Sequence, residues 1–290
     1  MTLINSIALF SRNIFGKYAK TFKPYLSDVQ KDIEKTKIGL TLEEYISVAI
    51  FTCILTFFIE TIMLTLIFSI VINNVIFGIV LGIGLSIILT GIVVFLFYLY
   101  PSVISSGREK NIDRMLPFAV SYLTALSSGS TEISSMFKTL GSFKKYGEIS
   151  AEANTIARNI DMFGMTAVES IKRVAERTPS EGFKDLLFGI NTVLVSGGDL
   201  MSYLDGKSND LMADYRRTIR KYSNTLSLFV EIYLTLLITG SVFFIVLSSV
   251  ISVISGGLGT VLLQTFVVFV LLPIISAGFI LLIKSTSPTD

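Results

Sequence analysis

Four stretches of this chain are apolar and contain no lysine or arginine: residues 46–72, 75–99, 228–252 and 260–283. Each exceeds the about 20 residues that a helix needs to cross the roughly 30 Å hydrocarbon core of a bilayer. The first pair is joined by Asn73-Asn74 alone and the second by residues 253–259, which also lack Lys and Arg. The pattern therefore predicts two transmembrane helical hairpins. Gly78 and Gly82 form a small-xxx-small pair in the second stretch, a pattern that lets helix backbones approach closely. Pro101 is expected to end that stretch.

Residues 100–225 show apolar positions at helical spacing nearly throughout. Leu116, Ala119, Val120, Leu123 and Leu126 mark a first helix that stops near Gly129. Ile133, Met136, Phe137 and Leu140 mark a second. Ile149, Ala153, Ile156, Ile160 and Phe163 mark a third, stopped by Gly164. A fourth runs over Ala167, Val168, Ile171, Val174 and Ala175. Phe183, Leu187, Ile190 and Leu194 mark a fifth, ending at Gly197-Gly198. Leu204, Leu211, Tyr215, Ile219 and Tyr222 mark a sixth that runs into the third apolar stretch. Lys144-Lys145 is expected in a solvated loop between Gly141 and Gly147. Thr178-Pro179-Ser180-Glu181 reads as a capping box with Thr178 as N-cap and proline at the first helical position. No stretch alternates with period two, so no sheet is expected. Single apolar stripes of this kind need a bundle to bury them.

At the N-terminus Ile7, Phe10, Ile14, Tyr18 and Phe22 recur at helical spacing, with Arg12, Asn13, Lys17, Lys20 and Lys23 mostly on the other face. Such a helix can lie on an anionic leaflet or pack on the protein's own bundle. A polar connector over residues 28–37 is expected to lead to the first apolar stretch. The segment does not resemble a signal peptide, because basic residues interrupt it and no apolar core precedes a small-residue cleavage site.

Charge orients the chain. All 24 Lys and Arg fall in the N-terminal segment, in residues 100–225, or at Lys284. The positive-inside rule then places the N-terminus, the bundle and the C-terminus in the cytoplasm. The expected fold is an all-α membrane protein in which two transmembrane hairpins flank a cytoplasmic six-helix bundle. Its parts are a cytoplasmic amphipathic segment (1–45), hairpin one (46–99), the bundle (100–225), hairpin two (226–284) and a cytoplasmic tail (285–290) in the cell membrane.

Composition narrows the chemistry. Charged residues are 16% of the chain, against about 25% in an average soluble domain. A net charge of +2 gives no reason to expect nucleic acid as a partner. There is no histidine and one cysteine, Cys53. Soft metal sites and Ser-His or Cys-His catalytic arrangements need residues that this chain lacks, so neither a cofactor nor catalysis is expected. Asp205-Gly206-Lys207-Ser208 resembles the end of a phosphate-binding loop. The loop's first glycine is replaced by Met201 and no strand precedes it, so nucleotide binding is not expected. Glu60 lies near the middle of the first apolar stretch, where a carboxylate costs about 2.5–3.5 kcal/mol. A proton relay needs several such groups, so a hydrogen-bonded helix contact, with Thr56, Thr61 or Thr65 nearby, is the preferred reading. Arg216, Arg217, Arg220 and Lys221 cluster just before the third stretch, where such residues set topology and meet anionic headgroups.

Several residues, in order, resemble the type II secretion F domain family, the platform proteins of type IV pili, archaella, Tad pili and type II secretion systems. They are Leu116-Pro117 opening a helix, Gly129 closing it, Gly164 followed by Ala167-Val168-Glu169, Thr178-Pro179-Ser180 with Phe183 and Leu187, and Gly197-Gly198-Asp199 with Leu204. The resemblance covers roughly residues 40–285. Polar Ser130-Thr131 follows the first glycine where the family has a Pro/Leu-type pair, and there is one such domain where many members have two. The resemblance implies a non-enzymatic platform that couples a cytoplasmic hexameric secretion ATPase to insertion of pilin-like subunits. It also implies pairing with itself or a sister platform protein within the lipid bilayer.

If the first and sixth helices run along the membrane normal, the turns near residues 128–131 and 196–199 lie farthest from the membrane. Gly129, Glu132, Gly197, Gly198 and Asp199 are then the candidate partner-binding residues, and Arg216, Arg217, Arg220 and Lys221 the membrane-proximal ones. The competing reading is a small transporter or channel subunit with a cytoplasmic regulatory domain, motivated by Glu60 and the glycine-rich second stretch.

Overall fold

The computed structural model describes residues 10–12, 15–16, 26–129, 132–255 and 258–286. The expected N-terminal helix, the Ser130-Thr131 pair and the last residues of the tail lie wholly or largely outside these. Among the described residues every element is helical. The order is α1 (Ser27–Thr36), α2 (Leu42–Ile72), α3 (Val75–Ser127), α4 (Ile133–Ser142), a 3-10 turn (Lys144–Tyr146), α5 (Glu148–Asp161), α6 (Ala167–Ala175) and α7 (Glu181–Ser196). It continues with α8 (Leu200–Tyr233), α9 (Gly240–Ser255), α10 (Leu258–Phe266) and α11 (Leu272–Thr286). Among the described residues four helices are long and apolar enough to cross a membrane: Leu42–Ile72, Val75–Ser127, Leu200–Ile254 and Leu262–Lys284. The chain divides into two compact units, Met1–Asp205 and Gly206–Asp290.

In the first unit α2 and α3 form an antiparallel pair. Thr41 caps α2 with a complete capping box, its hydroxyl accepting from Glu44 N and the Glu44 carboxylate accepting from Thr41 N. Asn73 adopts the left-handed conformation at φ 53°, and the Asn74 side chain accepts from Ile76 N and Phe77 N to start α3. Two residues thus suffice to reverse the chain. The seam is glycine-lined. A Cβ on Gly78 would lie 2.6 Å from Ser69 N, and one on Gly82 would lie 2.8 Å from Thr65 N. The small-xxx-small pair therefore serves a contact within the chain. Gly84 and Gly91 face open space.

Pro101 does not end the second stretch. Helix α3 runs for 53 residues through Pro101 and Pro117. Proline removes one intrahelical hydrogen bond and leaves the carbonyl four residues earlier without its donor. For Pro101 that carbonyl belongs to Phe97, and the Tyr45 hydroxyl donates to it at 2.7 Å. An outside donor thus replaces the missing amide. Pro117 likewise lies inside α3 and opens no separate helix, so the first bundle helix is an extension of the apolar one.

The expected polar connector over 28–37 is also corrected: it contains α1. Its Val29 and Ile33, four residues apart, are buried against Leu42, Tyr45 and Ile46 of α2, with Phe97 of α3 alongside. Two apolar residues in ten make too thin a stripe to stand out in the sequence.

The bundle core uses most of the expected apolar positions, but Phe163, expected on the third stripe, lies beyond α5 and is 67% exposed. Ile112, Leu116, Val120 and Leu123 of α3 pack with Phe137 and Leu140 of α4, Ile149 and Ile156 of α5, Ile171 of α6, and Phe183, Leu187 and Ile190 of α7. All are at most 2% exposed, worth about 1.5–3 kcal/mol each as apolar burial. Leu204, at the start of α8, is fully buried as well. The Lys144-Lys145 segment is a 3-10 turn ending at Gly147, φ 55°.

The capping box at 178–181 is corrected by two residues. Ser180 is the N-cap of α7, its hydroxyl accepting from Phe183 N at 3.0 Å. Thr178 N donates to Val174 O at 3.0 Å, closing the turn after α6. Its amide is therefore spent, and Glu181 cannot reach back to it. Ser180 also donates to the Asp113 carboxylate on α3, which anchors the start of α7 to the long helix.

In the second unit Tyr233 and Ser276 hydroxyls lie 3.3 Å apart, and Gln264 donates to Ser249 at 3.4 Å. Phe279 packs against both Phe229 and Tyr233. These pairs run antiparallel. Both partners contain a π-helical turn, Leu234–Thr239 and Val267–Leu271. The latter ends two positions before Pro273, whose missing amide disturbs the hydrogen-bond ladder there.

Candidate functional site

The turn that ends α3 holds Gly129, whose amide donates to Leu126 O at 3.3 Å. Glu132 sits at the N-cap position of α4, exposed and making no side-chain cap bond. The other turn is built by Gly197 at φ 68°, a left-handed position that suits glycine. Gly198 N donates to Val193 O at 3.0 Å, and Asp199 caps α8 by accepting from Met201 N at 3.0 Å. Gly129, Glu132, Gly197, Gly198 and Asp199 are all exposed. Among the described residues no hydrogen bond or ion pair joins the two turns.

Arg216, Arg217, Arg220 and Lys221 lie exposed on α8, with Arg217 paired to Asp214. Asp205-Gly206-Lys207-Ser208 is continuous helix within α8. The backbone amides there are spent on the helix ladder and cannot cradle a phosphate.

Glu60 meets Thr90 of α3, whose hydroxyl donates to its carboxylate at 3.4 Å. The threonines expected beside it serve otherwise. Thr56 bonds back to Thr52 O and Cys53 O, Thr61 Oγ1 has no partner, and Thr65 lies against Gly82. Thr90 lies on the other helix of the pair, 30 residues away along the chain.

One polar centre has no counterpart in the sequence reading. Arg108 is buried in α3 and donates to Glu148 at 2.9 Å, to Glu152 at 2.7 Å and to the Lys35 carbonyl at the end of α1. Lys37 adds a second cation on Glu152 at 2.9 Å. Asn111 Oδ1 accepts from Glu148 N at 3.0 Å. Three helices are thereby tied at one point, and the guanidinium completes an orphan carbonyl of α1. A signal was present: Arg108 lies in register with Ile112, Leu116 and Val120, where a charge on an apolar stripe demands a buried partner. A smaller clip joins α4 to α5. Ser134 and Lys138 both bond Asp161, and these bonds hold its carboxyl below the usual carboxylate range. Among the described residues no group of His, Cys, Asp and Glu could hold a metal ion.

Comparison with known proteins bears on the same segment. Residues 119–248 match the family model of type II secretion system (T2SS) protein F. The match begins inside α3, takes in α4 to α8 and ends inside α9. Over 142 residues the chain is 27% identical to an uncharacterised protein of Methanocaldococcus jannaschii, covering 49% of this chain and 24% of that protein. Over 173 residues it is 23% identical to flagella accessory protein J of the same organism, covering 56% of this chain and 31% of that protein. The chain thus spans less than a third of the length of these curated relatives. No solved structure matches it. From residue 119 to residue 248 the chain is therefore similar to the type II secretion system protein F family.

Proposed function

We propose that this chain is an integral-membrane platform protein of a pilus-like filament or secretion machine. It couples a cytoplasmic hexameric secretion ATPase to the assembly of pilin-like subunits from the membrane. It works with further copies of itself or with a sister platform protein, and its termini and bundle lie on the cytoplasmic side of the cell membrane. The two apolar pairs flank the bundle as transmembrane hairpins.

The observation that carries this reading is the protein F domain match over 119–248. The build of α3 supports it mechanically. At 1.5 Å per residue its 53 residues extend about 80 Å, so one helix can serve both a membrane span and the bundle. A push on the bundle then reaches the span without crossing a loop. The Arg108 centre adds stiffness where α3, α1 and α5 meet.

The test is site-specific cross-linking to the secretion ATPase of the same system. Photoreactive groups at Glu132 and Asp199 should capture the ATPase, and groups at Arg216 and Arg220 should not. Capture confined to the basic cluster would sink the assignment of the distal turns. Capture nowhere would sink the coupling role.

A further inference from the structure

We infer that the junction of α1, α2, α5 and α6 is a binding site for the phosphate headgroup of an anionic phospholipid. A cavity of about 840 Å³ opens there. One wall carries Arg158 at the end of α5 and Arg173 and Arg177 on and just after α6, with Lys37 among the other lining residues. Arg158 and Arg177 make no ion pair among the described residues. Among the described residues Arg173 reaches only Glu169, at 3.8 Å with both side chains more than half exposed, a pairing of little energetic consequence. Guanidinium groups match phosphate oxygens in bidentate fashion, and three of them converge on one space without an adequate carboxylate.

Carboxylates also line the cavity, and they do not cancel the arginines. Glu152 is already matched by Arg108 and Lys37. Glu34 accepts from Gln30, and Glu43 lies in the first turn of α2.

The position of the cavity favours a lipid over a free anion. Its rim includes residues 39–43, which lead directly into the first apolar stretch. A second cavity, of about 340 Å³, is lined by Val29, Tyr45, Ile46, Ala49 and Phe97 and is almost wholly apolar. The two flank α1: Val29 lines one, Gln30 and Glu34 the other. Leu42 and Ile46, one helical turn apart on α2, divide between them in the same way. A free phosphate needs only the first cavity. A phospholipid at the bilayer surface has a group for each.

This inference rests on the membrane placement in the proposed function and not on any ATPase or filament. It is tested on the full chain in neutral detergent by thermal unfolding. Phosphatidylglycerol should raise the melting temperature, with phosphatidylcholine or inorganic pyrophosphate at equal concentration raising it less. The increment should vanish in R158Q/R173Q/R177Q and persist in K144Q/K145Q, whose lysines lie exposed in the 3-10 turn. If the triple variant loses helicity, R158Q/R177Q is read instead. An undiminished increment in these variants would overturn the inference. So would an equal shift from pyrophosphate, which marks a soluble-anion site, or capture of an acidic protein at these arginines without a lipid shift. Failure here leaves ATPase cross-linking at Glu132 and Asp199 untouched, and the reverse also holds.

Discussion

The Tyr45 hydroxyl donates at 2.7 Å to the Phe97 carbonyl, the acceptor that Pro101 deprives of its intrahelical partner. The tyrosine is on α2 and the proline on α3. One side chain thereby lets a proline-containing helix continue from an apolar stretch into the bundle.

Removing that hydroxyl should leave the carbonyl unsatisfied. Tyr45→Phe is expected to destabilise the detergent-solubilised protein by about 1–3 kcal/mol. On a Pro101→Ala background, where an amide is restored, the same change should cost much less. Equal costs on the two backgrounds, measured by denaturant titration of helicity, would refute the compensation.

The α2–α3 seam should tolerate no side chain at two positions. Gly78→Leu and Gly82→Leu must push backbones apart, because even a Cβ falls within 3 Å of backbone atoms of Ser69 or Thr65. Each is expected to cost about 1–3 kcal/mol or more. Gly84→Ala meets nothing and should stabilise by about 0.5–1 kcal/mol through helix propensity. Thermal melts of the three variants check the contrast.

Arg108→Ala should be among the most damaging single changes in the bundle. It strands Glu152, whose side chain is 5% exposed, with Lys37 as its remaining cation. The expected loss is about 3–5 kcal/mol. The double variant Arg108→Met/Glu152→Met should recover part of it, since no buried charge is then left unmatched. Non-recovery in a double-mutant cycle would show that the centre matters for packing rather than for charge.

Asp161 should make α4–α5 stability depend on pH in the acid range. Its folded pKa is depressed, chiefly by the Ser134 bond and then by Lys138. The contribution is therefore present above the unfolded pKa of about 4 and lost as pH falls through the folded value. Ser134→Ala should flatten the pH dependence of the melting temperature below about pH 4. An unchanged slope would exclude the mechanism.

Charge reversal at Glu132 and Asp199 should weaken ATPase association, whereas R216Q/R217Q/R220Q should disturb membrane insertion. Asp199 also caps α8, so its variants need a helicity check; Glu132 makes no cap bond. In right-side-out cells, a cysteine at Asn74 should label from outside and one at Lys145 or Gly198 should not. Outside labelling at Lys145 would reverse the orientation.

Local signals made much of the helical order legible in advance. Asn73-Asn74 reverses the chain because Asn tolerates a left-handed φ and caps the next helix, both within a few residues. Gly164 and Gly197 stop helices because each occupies a left-handed φ. The apolar stretches stand out because a bilayer demands unbroken apolarity over about 20 residues. What misled were signals whose outcome depends on a distant partner. Pro101 reads as a stop unless Tyr45 is known to lie against Phe97. Thr178 reads as an N-cap unless its amide is seen to serve Val174 and Ser180 to be held by Asp113.

The sequence by itself therefore determined the helical class, the four stretches able to cross a membrane, the charge asymmetry and the glycine and asparagine turns. Each follows from the composition or backbone preference of a few neighbouring residues. The tertiary structure decided that α3 is one helix, that Arg108 sits among two carboxylates and a carbonyl, and that Glu60 answers to Thr90. It also brought Arg158, Arg173 and Arg177 around one cavity. Those outcomes join residues remote along the chain, and chain proximity carries no information about which of them packing will bring within hydrogen-bond reach.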